Sequence, residues 1–369
     1  MKNRNVLLLL LSFALFISCG KKEEDVIKIG VLTTLTGESA KYGKSALDGI
    51  QLAVDEINNK GGIENKKIKT IIEDDGSENT KAVSAFTKLA NIDKVAVIIG
   101  PISSSAAMVC SPIANNLKVV LFSPSAATPL FTSPQDFTFR NRVSSNYEII
   151  ELANVAYSRL GLRRIAILYV NNDYGLGNKN VFEVSFEKFG GKIVDTELFT
   201  EGSSNLRDQL LKIQRGKPNG IFLVGQGTEG GYALKQAKEL GLKTQFLSTI
   251  TIQRSDVLQI AGKAADGVIY ALPTFDRNSS KKAKEFEEKY KNNYNTEPDI
   301  FSGNGYDAVY IVAKAIELGG YTAEGIKSAL FKIKNFDGVT GNTTFDSNGD
   351  VTKPIAVKII KNNKFINFN

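Results

Sequence analysis

The strongest constraint on this chain is an alternation. Short apolar runs rich in β-branched residues take turns with longer amphipathic segments. The runs cover 26–33, 68–72, 95–99, 119–122, 165–170, 191–199, 221–224, 246–249 and 267–272. They are apolar at almost every position, so both faces of each strand must be covered. That is the pattern of parallel strands held between two layers of helices. The segments at 43–59, 79–91, 104–116, 145–160, 175–189, 204–215 and 229–240 predict those helices. Gly61-Gly62 ends the first of them, as residues tolerant of left-handed backbone do. Repeated strand–helix–strand units predict right-handed crossovers and doubly wound α/β sheets.

The chain has 369 residues. At about 150 residues per domain this predicts two or three domains, and the runs are too many for one compact sheet. A break is expected near 139–145, where Arg140-Asn141-Arg142 follow a loop rich in Pro, Ser and Thr. After residue 274 the pattern is mostly helical, at 279–294, 303–318 and 322–334. Helices without a sheet of their own must pack on an existing one. The stretch 339–369 reads as two hairpins, with turns at Asn348-Gly349 and Asn362-Asn363.

Composition removes several classes of function. The chain contains no histidine, so no Ser-His-Asp or Cys-His nucleophile system and no HExxH zinc site can form. Its 2 cysteines cannot build a Cys/His zinc cage. No paired carboxylates with separable roles are evident, and neither cofactor nor metal is expected. The net charge is +7, but Lys outnumbers Arg 36 to 10 and is scattered. A nucleic-acid binder concentrates its cations on one face and leans on Arg, so no nucleic-acid partner is expected.

Residues 1–18 read as a secretory leader. Lys2 and Arg4 form a basic start, and 6–17 is an apolar run too short for a membrane span, which needs about 20 residues. The run ends at Ser18-Cys19-Gly20. This resembles a bacterial lipoprotein signal in which Cys19 is lipidated and becomes the new N-terminus. The usual Leu three residues before the cysteine is Phe16 here. Residues 19–25 would then be a charged tether, leaving Cys110 unpaired as a small core residue.

Three motifs nearly fit a nucleotide or metal site. Gly37-Glu38-Ser39-Ala40-Lys41-Tyr42-Gly43-Lys44-Ser45 has five residues between its glycines where a P-loop has four. Gly225-Gln226-Gly227-Thr228-Glu229-Gly230 matches GxGxxG. It lacks the acid about 20 residues later and lies well inside the second βα series. It leaves an NAD-dependent oxidoreductase as the enzymatic rival. Asp346-Ser347-Asn348-Gly349-Asp350 echoes a calcium loop, but Ile355 stands where the bidentate acid belongs.

In open α/β sheets a ligand sits beyond the carboxyl ends of the strands. Those ends carry Thr33-Thr34 with the loop to Tyr42; Gly100-Pro101 with Ser103-Ser104-Ser105; Ser123-Pro124-Ser125; Asn171 to Tyr174; Gly225-Gln226; and Thr249-Ile250. The set is rich in hydroxyls and poor in charge. The serine triplet opens a helix, where free N–H groups favour an anion. Glu73-Asp74-Asp75 at another strand end is assigned to loop structure.

Taken in order, 29–36 with Tyr42-Gly43, Gly61-Gly62-Ile63, Gly100 with Ser103-Ser104-Ser105 and Ser123-Pro124-Ser125-Ala126 resemble the leucine/isoleucine/valine-binding proteins. These are type I extracytoplasmic receptors of ABC importers. The likeness continues through Asn172-Asp173-Tyr174-Gly175, Gly241-Leu242-Lys243-Thr244-Gln245-Phe246, Tyr306-Asp307-Ala308 and Gly338-Val339-Thr340-Gly341 with Phe345-Asp346. The resemblance implies two Rossmann-like lobes, 26–143 with 275–336 and 144–274 with 337–369, joined by a three-segment hinge. It implies a solute trapped between them, an ABC permease as partner, a lipid-anchored place outside the cytoplasm, and no catalysis. A sensory module would share the fold. Ser103, with Ser104 beside it, and the Ser125-Ala126 backbone would hold a carboxylate, and Tyr42 and Tyr174 would wall the pocket. Three positions depart from the family. Ala127 replaces a hydroxyl residue, Gln226 an aromatic, and Ile250 the acid that pairs an ammonium. The ligand is therefore expected to be a small amino acid of the branched-chain type, or a small carboxylate or amide without an ammonium.

Overall fold

The structure, a computed structural model, describes residues 26–274 and 280–368. The leader, Cys19 and the tether lie outside the described residues.

The expected runs become strands of two sheets. The first holds β1 (Ile27–Thr33), β2 (Ile68–Asp74), β3 (Val97–Ile99), β4 (Val120–Ser123) and β5 (Thr138–Arg140). All are parallel, in the order β2-β1-β3-β4-β5. The second holds β6 (Arg164–Val170), β7 (Lys192–Phe199), β8 (Gly220–Val224), β9 (Gln245–Ser248) and β10 (Ile269–Pro273). It carries β13 (Ile355–Lys361) and β14 (Lys364–Asn367) antiparallel at its edge. Its order is β14-β13-β10-β9-β8-β6-β7. The five parallel strands of each sheet follow one winding order, so each sheet reverses direction beside its first strand.

The two-faced apolar pattern has its reason here. On β3 and β4, Val97, Ile99, Val120 and Phe122 enter one core, while Ile98 and Leu121 enter another on the opposite face. On β6 and β8, Ala166, Leu168, Ile221 and Leu223 point one way and Ile165, Ile167, Phe222 and Val224 the other. The first sheet is covered by α1 (Ala40–Asn59), α2 (Asn79–Asn91) and α3 (Ser104–Leu117). The second is covered by α4 (Ser145–Asn154), α5 (Asp173–Lys188), α6 (Arg207–Arg215), α7 (Thr228–Glu239) and α8 (Ser255–Ala261). The helix expected over 145–160 loosens into a π-helical turn at Val155–Arg159. Cys110 is fully buried in α3, and burial pushes its thiol up to about 12.

The late helices α9 (Lys281–Tyr294), α10 (Ile300–Gly319) and α11 (Ala323–Leu330) return to the first sheet. Phe286, Tyr290, Val309, Val312 and Ile326 lie in the core of β1. The chain thus passes between the lobes three times: between β5 and α4, between β10 and α9, and just before β13.

The last passage corrects the expected boundary after 336. Val339, Phe345 and Val351 are buried in the first lobe's core, and the chain joins the second sheet only at Ile355. Polar contacts pin the intervening segment. The turn between β11 (Phe336–Gly338) and β12 (Gly341–Thr343) is held by the buried Asp307 carboxylate, which accepts from Val339 N at 2.8 Å and Thr340 N at 2.9 Å. The Asn348-Gly349 turn is flanked by one bridge, Phe345 to Val351, rather than by a hairpin of strands. Asp346 takes the Asn348 and Asp350 amides, and Asp350 is committed to Arg140. The Asn362-Asn363 turn does join β13 to β14.

Arg140, wholly buried, ties the first passage to the third. Its Nε donates to Asp350 Oδ1 at 2.6 Å and its Nη2 to Oδ2 at 3.1 Å. Breaking a buried pair by removing one partner leaves an uncompensated charge. Arg140→Met should therefore cost about 3–5 kcal/mol in urea unfolding; a loss below about 1 kcal/mol would show that this pair does not hold the hinge.

Candidate functional site

The reversal points of the two sheets face each other, as the rule for open sheets requires. From the first lobe come the loop after β1, the loop from β3 into α3, and the loop after β4. From the second come the loop after β6, the loop from β8 into α7, and the turn after β9. They bound a cleft cavity lined by Tyr42, Ser103, Ser104, Ser125, Ala127, Tyr174, Gln226 and Ile250, among others. The structure thus brings together every expected ligand residue except Ala126. That residue is fully buried in the core beneath α3.

Two tyrosines wall the cavity, and each precedes a glycine for a packing reason. A Cβ on Gly43 would stand 1.8 Å from Thr34 O, and one on Gly175 would stand 1.8 Å from Val170 O. Only glycine lets the first turn of α1 or α5 press against its strand, and that approach brings Tyr42 and Tyr174 to the cleft. Tyr174 Oη donates to Thr249 Oγ1 at 2.9 Å, and burial pushes its pKa up to about 12. Tyr42 Oη is buried with no hydrogen-bond partner, and burial pushes its pKa upward too. Its ring packs against Phe301 at a 45° tilt, centroids 4.7 Å apart. Both tyrosines are neutral hydroxyls at neutral pH.

The serines divide their work. Ser103 caps α3, its Oγ accepting from Ala106 N at 3.1 Å, and it also lines the cavity. Ser104 Oγ accepts from Ala127 N and Thr128 N, both at 3.3 Å. Ser123 Oγ accepts from Ser125 N at 3.3 Å and Ala126 N at 2.9 Å. The Ser125-Ala126 backbone, expected to hold a carboxylate, is therefore already satisfied from within. What stays open to an anion is the first turn of α3 with the Ser103 and Ser125 hydroxyls.

The other motifs resolve into structure. Glu229 of the GxGxxG loop is buried and accepts from Gly202 N at 2.9 Å and Gln226 N at 3.0 Å. Its carboxylate thus ties its own loop to the loop at Gly202, and it is not free to reach a ligand's amine. Asp74 and Asp75 accept from Leu35 N, Gly76 N, Thr34 Oγ1 and Ser77 N, so this knot shapes two loops. Among the described residues no group of His, Cys, Asp or Glu could hold a metal ion.

Sequence reasoning missed Ser39, Ile102, Arg142, Thr251 and Phe301 as lining residues. Phe301 opens α10, more than 250 positions from Tyr42; no local pattern relates the two. It also missed the contacts across the cleft. Lys41 Nζ lies 2.6 Å from Asp256 Oδ2, and Asp173 N donates to Ser105 Oγ at 3.2 Å. Arg254 pairs with Asp256 and lies over the Tyr42 ring, 4.8 Å from its centroid. Burial works to raise the Asp256 carboxyl, but Arg254 and Lys41 outweigh it and hold it at about 2.

With this geometry in place, the comparisons with known proteins agree. A family model described as "Periplasmic binding protein" matches residues 26–364. The chain is 28% identical to the leucine-, isoleucine-, valine-, threonine- and alanine-binding protein of Pseudomonas aeruginosa, over 89% of this chain and 87% of that one. It superposes on the branched-chain amino acid transporter substrate-binding protein LivJ of Streptococcus pneumoniae, solved with isoleucine. The TM-score is 0.84, with 31% identity over 92% of this chain and 97% of that one. A solute-binding protein of an ABC transporter from R. palustris, solved with benzoate, shares the fold at TM-score 0.83 and 20% identity, covering 93% and 96%. Together with the family match, two lobes with a cavity between their reversal points make this an extracytoplasmic solute-binding protein, a transport component and not an enzyme. The chain belongs to the periplasmic binding proteins of ABC transporters. The oxidoreductase reading falls with that assignment.

The two serines should separate on substitution. Ser104→Ala strips the acceptor from two buried amides and should lower the stability of the unliganded protein by about 1–3 kcal/mol. Ser103→Ala removes one helix cap, worth about 1 kcal/mol. Urea unfolding of both checks this, and a Ser103 variant clearly less stable than the Ser104 variant would contradict the division of work.

Proposed function

We propose that this protein is a lipid-anchored receptor that captures a small solute with one carboxylate and a compact apolar body, then presents it to an ABC permease. The observation that carries this is the cleft itself. The first turn of α3 with Ser103 faces an enclosure walled by Tyr42, Ile102, Tyr174, Ile250 and Phe301. Helix N-termini favour anions, and the apolar wall matches an aliphatic or aromatic side group. A branched-chain amino acid is the ligand type that the relatives' names support. The geometry favours a second reading, the same acid without its ammonium. Ala127 and Ile250 offer no polar side chain, and among the described residues no carboxylate lines the cavity.

A ligand that binds only the native state raises stability by about 2.7 kcal/mol at 100 times its Kd. Thermal shift with leucine, isoleucine, valine, their deaminated analogues and the matching amides should therefore pick out one class. No shift with any of them at millimolar concentration would sink the assignment. X-ray scattering should show a smaller radius of gyration when the selected ligand is added, because contacts from both lobes stabilise only the closed form.

The anchor is tested separately. One acyl chain gives marginal membrane binding and two or more give stable attachment. Cys19→Ser should thus move the protein from the membrane fraction of its host into the soluble fraction. Retention on the membrane would point to an uncleaved N-terminal segment instead.

A further inference from the structure

Among the described residues the cavity wall carries a single formal charge, and it is positive. Arg142 lies on the first passage between the lobes, buried to 3% exposure, and lines the cavity. Its Nη1 donates to Val143 O at 3.0 Å and pairs with the buried Glu148 carboxylate on α4. Its Nε and Nη2 donate to no acceptor among the described residues. A guanidinium has five donors in a fixed fork, so this edge is left for an acceptor in the cavity. Glu148 does not line the cavity, so the pair presents its cationic member to the ligand.

The other charged groups near this wall deepen the asymmetry. Lys353, on the third passage, is buried at 6% exposure and bonded to Thr340, which in turn donates to Asp307. Arg140 is matched by Asp350. Neither Asp307 nor Asp350 lines the cavity. In the adjoining compartment, also bounded by Ser103, Tyr174 and Gln226, the acids are Glu78 and Glu201. Glu201 accepts from Asn172 Nδ2 at 2.8 Å.

We propose that Arg142 is the residue that reads the ligand's charge. Its free guanidinium edge receives an oxygen acceptor of a net-anionic solute, a plain, 2-oxo or 2-hydroxy carboxylate with an apolar body. The same guanidinium, with no acid beside it on the wall, disfavours an α-ammonium. This rests on the reading of the cleft as a receptor site for a small apolar acid, and it narrows the class to acids lacking the amine.

The test is calorimetric titration with three probes of one carbon skeleton: 4-methylpentanoate, 4-methylpentanamide and leucine. In the wild type, 4-methylpentanoate should bind at least about 10-fold tighter than either of the others, as expected for a hydrogen bond to a charged partner. Arg142→Gln should weaken the carboxylate roughly 10- to 150-fold and the amide little, so that the ratio of the two approaches one. Because that variant strands Glu148, the double variant Arg142→Gln with Glu148→Gln is titrated alongside. It leaves a neutral wall, and the same collapse of the ratio is expected.

An unchanged acid-to-amide ratio in both variants overturns the role of Arg142. Leucine binding as tightly as 4-methylpentanoate overturns it too, while leaving the receptor reading intact. Should Glu148→Gln or Glu201→Gln then abolish leucine binding, that acid is the ammonium partner. If none of the three probes binds at millimolar concentration, the receptor reading itself falls, and this inference with it.

Discussion

The site depends first on one buried guanidinium. Arg140 donates to Ala126 O at 3.1 Å and Thr128 O at 2.7 Å, as well as to both oxygens of Asp350. These bonds fasten the loop that carries Ser125 and Ala127 to the first and third interlobe passages at once. A charge this deep is tolerable only with its donors matched, so the loop, the passage and Asp350 hold one another in place. Ser104 and Ser123 complete the clamp by accepting the loop's amides. The ligand-facing hydroxyls therefore rest on a frame that the ligand does not have to order, which limits the entropy lost on binding.

The two lobes solve one problem twice. Each has a first strand whose loop leads to a Tyr-Gly pair, and in each the glycine lets the helix approach the strand and sets the tyrosine at the cleft. The lobes then divide the chemistry. The first supplies the α3 N-terminus and its serines; the second supplies Tyr174, Gln226 and the apolar Ile250. Contacts between them, Lys41 with Asp256 and Arg254 over Tyr42, join at the cleft mouth. Tyr42 thus both lines the cavity and takes part in the contact between the lobes.

Much of this was legible in the sequence because its signals are local. Val97-Ile98-Ile99 and Val120-Leu121-Phe122 are apolar on both faces whatever the rest of the chain does, so strand and two-sided cover follow together. β5 escaped notice because Thr138 and Arg140 flank Phe139 with polar groups, so the strand shows no apolar run. The segment 337–354 was misplaced because nothing local holds it: Asp307 secures Thr340, and Arg140 secures Asp350, across 33 and 210 positions. The site divides the same way. Ser103, Ser125, Tyr42 and Tyr174 follow from strand ends. Arg142 and Phe301 reach the cavity only through tertiary placement, and an Arg beside an interlobe passage looks in sequence like any solvated cation.

What the fold leaves open is the ligand's charge. The helix N-terminus attracts any carboxylate and the apolar wall accepts any compact hydrocarbon body, so neither separates an amino acid from its deaminated counterpart. That choice belongs to a few side chains placed around a common scaffold. An ammonium buried without a carboxylate or full hydrogen bonding costs several kcal/mol, far more than one contact with a methylene returns. With Ile250 where the resemblance expects an acid, and Arg142 on the cavity wall, the proposed site would invert the sign of that term. On the proposed reading Ile250 and Arg142 act on the same property of the solute, and charge rather than shape would be what this site discriminates.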